Sequence, residues 1–178
     1  MSRYRRRSGR LTPDPLRRFL LQLAQRKWQA VGMSELSPFL ASQLDALRVV
    51  ERGAPIVEVE MPLRIESRAN IMTSNHWAGR AAKVKQHRSV TKGVLVSVGF
   101  HLRQAMAAGA RYVVLMTRIA PRKLDGDNLA SAFKAVRDGV ADTFAVDDGD
   151  ERVRYVVDQR TGKPKEYAAR IAIYAVTP

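Results

Sequence analysis

Arg111-Tyr112-Val113-Val114-Leu115-Met116-Thr117-Arg118-Ile119 is an apolar, β-branched run, and Leu124-Asp125-Gly126-Asp127-Asn128-Leu129 follows it closely. The first stretch predicts a buried strand. The second is short, polar and glycine-bearing, as a connecting loop should be. Beyond it, Leu129, Phe133, Val136 and Val140 keep one helical stripe, which predicts a helix over residues 128–142. Strand, acidic loop and helix thus form one unit. Downstream, Val153, Tyr155 and Val157 alternate as a third strand, Thr161-Gly162-Lys163-Pro164 has turn chemistry, and Ile171, Ile173 and Ala175 mark a fourth strand.

Working toward the N-terminus, Val57, Val59, Met61, Leu63 and Ile65 alternate with polar residues over 56–66, which predicts a half-buried strand. Pro62 confines that strand to a sheet edge or a bulge. A loop is expected at 67–75, and a helix over 76–107 with a break near Gly93 or Gly99. Residues 14–31 read as a helix, with Thr12 or Asp14 as cap and Leu16, Phe19, Leu20, Leu23, Trp28 and Val31 on its apolar side. A short helix fits 38–49, with Ser37 as its cap. Arg52-Gly53-Ala54-Pro55 then reads as a linker. Residues 1–11, which hold Arg3, Arg5, Arg6, Arg7 and Arg10, read as a basic arm. The expected class is α+β, a small mixed sheet flanked by helices. An arm and helical extension would occupy 1–53, and the main domain 54–178.

The 178 residues suffice for a domain of ordinary size, and a hydrophobic fraction of 46% supports a core. No cysteine is present, which excludes disulfides and thiolate metal sites and fits a reducing, cytoplasmic setting. Lys and Arg number 31 against 17 Asp and Glu, a net charge of +14. That excess favours a polyanionic partner. No apolar run reaches the roughly 20 residues of a spanning helix, so no membrane partner is expected. Nor is an export signal, because Arg17, Arg18, Arg26 and Lys27 interrupt the apolar stretch behind the arm. Nucleic acid is the polyanion that remains.

Acidic clusters in so basic a chain need a reason. Asp125 and Asp127 share one loop, and Asp147 and Asp148 follow the predicted helix. Gathered carboxylates repel one another, and a divalent cation removes that cost. Magnesium takes hard oxygen ligands and keeps several waters, so two or three aspartates suffice. Such an ion polarises a phosphoryl oxygen and generates hydroxide. The alternative is a plain turn in which Asp127 or Asn128 caps the helix. A calcium loop lacks its acidic twelfth ligand, since that place is Val136.

Lys123-Leu124-Asp125-Gly126-Asp127-Asn128-Leu129, the helix with Lys134 and Asp138, and Val146-Asp147-Asp148 together resemble the RusA-type Holliday-junction resolvases, phage and prophage relatives above all. Asn75-His76-Trp77 with Arg80, Lys83, Lys85 and Arg88 is similar to the basic segment of those relatives. So is the tail from Asp147 through Tyr167-Ala168-Ala169-Arg170-Ile171. The resemblance spans about residues 56–176 and leaves out 1–53. It implies a bacterial or phage-encoded, nucleoid-associated homodimer that nicks opposing strands of a four-way junction with magnesium, or with manganese in its place. It implies metal ligands at Asp125, Asp127 and Asp148, with Asp147 beside them, and a catalytic or phosphate-contacting lysine on the following helix. In shorter members that lysine falls where this chain has Ser131; Lys134 stands one turn further on.

Arg80, Lys83, Lys85 and Arg88 are candidate phosphate contacts, as are Lys123, Arg160 and Lys163. Each has a plainer alternative as part of a solvated basic face. Trp77 is a candidate base-stacking residue, with a core position as its alternative. His87 and His101 suggest no role. Two rival functions remain open: a non-catalytic basic nucleic-acid-binding protein, and a nuclease acting on flaps, forks or RNA.

Overall fold

The computed structural model describes residues 45–50, 53–67 and 77–176, without the side chains of Trp77 and Arg80. The basic arm, the helix expected at 14–31, residues 38–44, most of the 67–75 loop and His76 lie outside the described residues.

The protein is α+β, with a four-stranded mixed sheet in the order β1-β4-β2-β3. The strands are β1 (Val57–Met61), β2 (Arg111–Ala120), β3 (Val153–Thr161) and β4 (Ala168–Val176). β4 runs antiparallel to both β1 and β2, whereas β3 runs parallel to β2. That parallel pair needs a crossover, and the segment between the two strands supplies it with helices. β2 lies inside the sheet and is buried on both faces, which explains its unbroken apolar run.

One sheet face carries three helices: α1 (Trp77–Ala107), α2 (Gly126–Ala132) and α3 (Lys134–Phe144). Between them lie Val114, Met116, Ile171, Ile173, Leu95, Leu102, Phe133, Val136 and Phe144. The other face meets the helical residues 45–50, where Ala46 and Val50 cover Val113, Leu115, Val156, Ala172 and Tyr174.

Three sequence expectations need correction. The strand expected over 56–66 pairs only across Val57–Met61, because Pro62 has no N–H to continue the ladder. Its alternation nevertheless persists, with Leu63 and Ile65 buried. α1 runs unbroken through both glycines. Gly99 faces Thr143 of α3, where a Cβ would lie 3.1 Å from Thr143 Cγ2, so its small size serves helix packing rather than a kink. The single helix expected over 128–142 is two. Phe133, buried and with φ −84° and ψ −1°, ends α2 and starts α3. α3 then runs to Phe144, beyond the expected end, and stops where Ala145 adopts a left-handed conformation at φ 58°.

Candidate functional site

The acidic loop leaves the C-terminal end of β2, and neighbouring elements hold it there. Arg118, buried in the sheet, donates from Nε to Ile65 O at 2.8 Å and from Nη1 to Arg122 O at 2.6 Å. Its burial pulls the guanidinium below the usual arginine range. The side-chain amide of Gln159, on β3, bonds the backbone N–H and C=O of Leu124. Gly162 N–H donates to Ala120 O at 2.9 Å. The loop therefore sits on fixed strands rather than in free solvent.

Asp125 caps α2. Its Oδ1 accepts from Asn128 N–H at 3.0 Å and its Oδ2 from Asn128 Nδ2 at 2.9 Å. The capping residue is thus Asp125, not Asp127 or Asn128, because its extended backbone places the carboxylate over the free N–H of Asn128, the third residue of the helix. Asn128 Oδ1 accepts in turn from the buried Ser67 hydroxyl at 3.1 Å. Asp127 stands exposed in the first turn of the same helix.

Asp148 stands elsewhere. Its Oδ2 receives Arg137 Nη2 at 2.9 Å and Lys134 Nζ at 3.4 Å. Lys134 also reaches Asp138 at 3.2 Å. The Lys134 ammonium and the Arg137 guanidinium hold the Asp148 carboxyl below its ordinary range. Tyr155 lies beside this group, with the Arg137 guanidinium 5.9 Å from its ring centroid. Burial pushes the Tyr155 hydroxyl far up, so it keeps its proton at neutral pH. Among the described residues no three His, Asp or Glu side chains gather closely enough to hold a metal ion. Asp125 and Asp127 share a loop, whereas Asp148 joins the lysine and arginine of α3. Asp147 is exposed, its carbonyl accepting from Asp150 N–H at 3.1 Å.

Asp125 and Asp127 carry hard carboxylate oxygens of the kind a divalent cation takes, although both oxygens of Asp125 already accept from Asn128. Among the described residues no third ligand joins them.

The candidate phosphate contacts divide in two. Lys83 pairs with Glu66 at 2.8 Å and Arg88 with Asp142 at 2.7 Å. Lys85 is exposed and makes no ion pair among the described residues, while the Arg80 side chain lies outside them. Lys123, Arg160 and Lys163 are exposed near the C-terminal ends of β2 and β3, the end from which the Asp125 loop emerges. Arg122, which sequence reasoning passed over, is exposed there too. Gln159, Arg137 and Tyr155 were also missed. Only the adjacency of Arg122 to Lys123 left a trace in the sequence; the other roles depend on strand pairing and on the fold of the 145–152 loop.

No protein-family model matches this chain, and no curated protein does. Among solved structures, the chain is similar to a 2C-methyl-D-erythritol-2,4-cyclodiphosphate synthase at 16% identity and a TM-score of 0.27. The match covers 44% of this chain and 48% of that one. A likeness so slight carries no argument about fold or function. No helix among the described residues is long and apolar enough to cross a membrane.

Proposed function

We propose that this protein is a magnesium-dependent, structure-selective endonuclease that resolves four-way DNA junctions by paired nicks, as the RusA-type resolvases do. The observation that supports it is the setting of one loop. Asp125 and Asp127 stand exposed at the C-terminal end of β2, with Arg122, Lys123, Arg160 and Lys163 exposed nearby, in a chain of net charge +14. Carboxylates serve a cation there, and basic residues serve the phosphates that flank it.

In this reading Asp125 and Asp127 hold the ion, with manganese as an alternative. Such an ion would supply Lewis acidity toward a phosphodiester. Gln159 and the Arg118 guanidinium keep the loop from moving under load. Asp148, with Asp147 beside it, completes the ligand set after leaving Lys134 and Arg137, or from a second copy in a homodimer. Lys134 is the phosphate-contacting lysine. The protein would act on the nucleoid, in the cytoplasm.

A specific observation favours a second reading, a non-catalytic nucleic-acid binder: Asp125 already has a structural occupation as helix cap, and Asp148 is neutralised by α3. Incubation with a synthetic four-way junction, with and without magnesium, separates the two. Magnesium-dependent symmetric nicks support the nuclease. Binding without cleavage under magnesium and manganese alike would replace it with the binder. Forks, flaps, plain duplex, single strands and RNA in the same panel test the substrate.

A further inference from the structure

Lys134 and Arg137 converge on a single oxygen, Asp148 Oδ2. The three side chains are open to solvent, at 52%, 38% and 41% exposure. Two donors of the same group are not satisfied: Arg137 Nε and the Tyr155 hydroxyl are both buried with no hydrogen-bond partner. Buried donors without acceptors are costly and uncommon in folded proteins.

Other arginines of this chain show what a satisfied pairing looks like. Arg88 grips Asp142 with a full fork, Nε to Oδ2 at 2.7 Å and Nη2 to Oδ1 at 2.8 Å. Arg152 does the same with Asp150, at 2.9 Å and 2.6 Å. Arg137 gives Asp148 one arm only and leaves Nε idle. Asp148 Oδ2 takes Lys134 Nζ and Arg137 Nη2, while Arg137 Nε and Tyr155 Oη find no acceptor. A tetrahedral oxyanion offers more acceptors, and its geometry suits the guanidinium fork.

We propose that Lys134, Arg137 and Tyr155 form a binding site for a phosphate oxyanion, which Asp148 fills with its own carboxylate in the free protein. The incoming phosphate displaces Asp148 and takes Nε and Nη2 as a fork, with Lys134 Nζ and the Tyr155 hydroxyl as further donors. Because Nε is buried while Asp148 is seated, the guanidinium turns during the exchange. Assigning the phosphate to a DNA backbone rests on the DNA-cleaving function proposed above; the oxyanion site itself does not.

The test uses the full chain without metal, in chelator, and inorganic phosphate as probe. Binding is followed by calorimetry and by the Arg137 Nε–H resonance. Asp148→Asn removes the competing charge, so it should bind phosphate about tenfold more tightly than the parent chain and shift that resonance. Adding Tyr155→Phe, which keeps the ring, should lose part of the gain, and adding Arg137→Met all of it. Should Arg137→Met fail to fold, Arg137→Lys replaces it, keeping the charge while losing the fork. Equal phosphate affinity in the parent chain and Asp148→Asn, or a gain that survives loss of Arg137, would overturn the site. A second arm measures binding of a short duplex DNA, also without metal. A gain with Asp148→Asn that Arg137→Met reverses supports the backbone assignment. A gain for inorganic phosphate but none for DNA overturns that assignment. A failure of the nuclease function would appear separately, as no cleavage of a junction under magnesium, and would leave these metal-free results standing.

Discussion

The side-chain amide of Gln159 pairs with both backbone polar groups of Leu124: Leu124 N–H donates to Oε1 at 2.8 Å, and Nε2 donates to Leu124 O at 2.6 Å. Leu124 immediately precedes Asp125, so this amide fixes the start of the acidic loop to β3. Gln159→Leu removes both bonds while keeping similar bulk. At about 0.5–1.5 kcal/mol each, their loss should cost roughly 1–3 kcal/mol, read as a lower urea midpoint. Hydrogen exchange at Leu124 N–H should also accelerate. An unchanged Leu124 exchange rate would mean that the loop is held by other contacts.

Gly139 lets α3 approach α1 closely. A Cβ there would meet Arg88 O at 2.7 Å and Thr91 Cβ at 2.8 Å, and the first of these is backbone that cannot swing aside. Gly139→Ala should therefore destabilise by about 1–3 kcal/mol, despite the better helix propensity of alanine. Gly99→Ala should cost less, because its nearest neighbour is the Thr143 Cγ2 methyl at 3.1 Å. Urea unfolding of the two variants checks the ranking; a more stable Gly139→Ala chain would contradict this packing.

Acid stability should depend on three aspartates. The Arg88 hydrogen bond lowers the Asp142 pKa, Lys134 and Arg137 lower that of Asp148, and Arg152 lowers that of Asp150 to about 2. A carboxylate with a depressed folded pKa stabilises fully above its unfolded value, about 3.9, and loses that contribution as pH falls through the folded value. The melting temperature should thus be flat with respect to these groups from neutrality to about pH 5, then fall from about pH 4 toward pH 2. Each pair is partly open to solvent and contributes modestly. Arg152→Met should lower the melting temperature at pH 5 slightly and flatten the decline below pH 4. An acid limb identical to that of the parent chain would show the pair to be inert.

The separation of Asp148 from Asp125 and Asp127 bears on how a catalytic site is completed. Asp125→Asn, Asp127→Asn and Asp148→Asn should each abolish junction cleavage and retain junction binding, with Asp147→Asn milder. Wild-type cutting by Asp125→Asn and Asp127→Asn would exclude the loop. If Asp148 comes from a second copy, a mixed dimer of Asp125→Asn and Asp148→Asn chains collects both changes in one site and leaves the other intact. Renewed nicking of one strand after subunit exchange supports sharing. Confirmed mixed dimers that stay inactive assign all three ligands to one chain.

Much of the architecture is local in origin, and the sequence by itself determined it. Apolar alternation marks β1, β3 and β4, because side chains on a strand point alternately to its two faces, and an unbroken apolar run marks the doubly buried β2. The stripe of Leu129, Phe133, Val136 and Val140 marks the helical crossover, and the charge of +14 is fixed by composition. Pro62, whose missing N–H allowed a sheet edge or a bulge, follows the end of β1, which is an edge strand. Tertiary structure alone decided what depends on distant partners. The order β1-β4-β2-β3 follows from pairing between segments far apart in the chain. Gly99 became a packing contact rather than a break because Thr143 of α3 filled the space beside it. Burial of Phe133 split one expected helix in two. The site shows the same division. Asp125 and Asp127 are neighbours because the chain makes them so. Asp148 was drawn to Lys134 and Arg137 because the loop after Ala145 turns back along α3, and charges brought together in space pair whatever their separation in sequence.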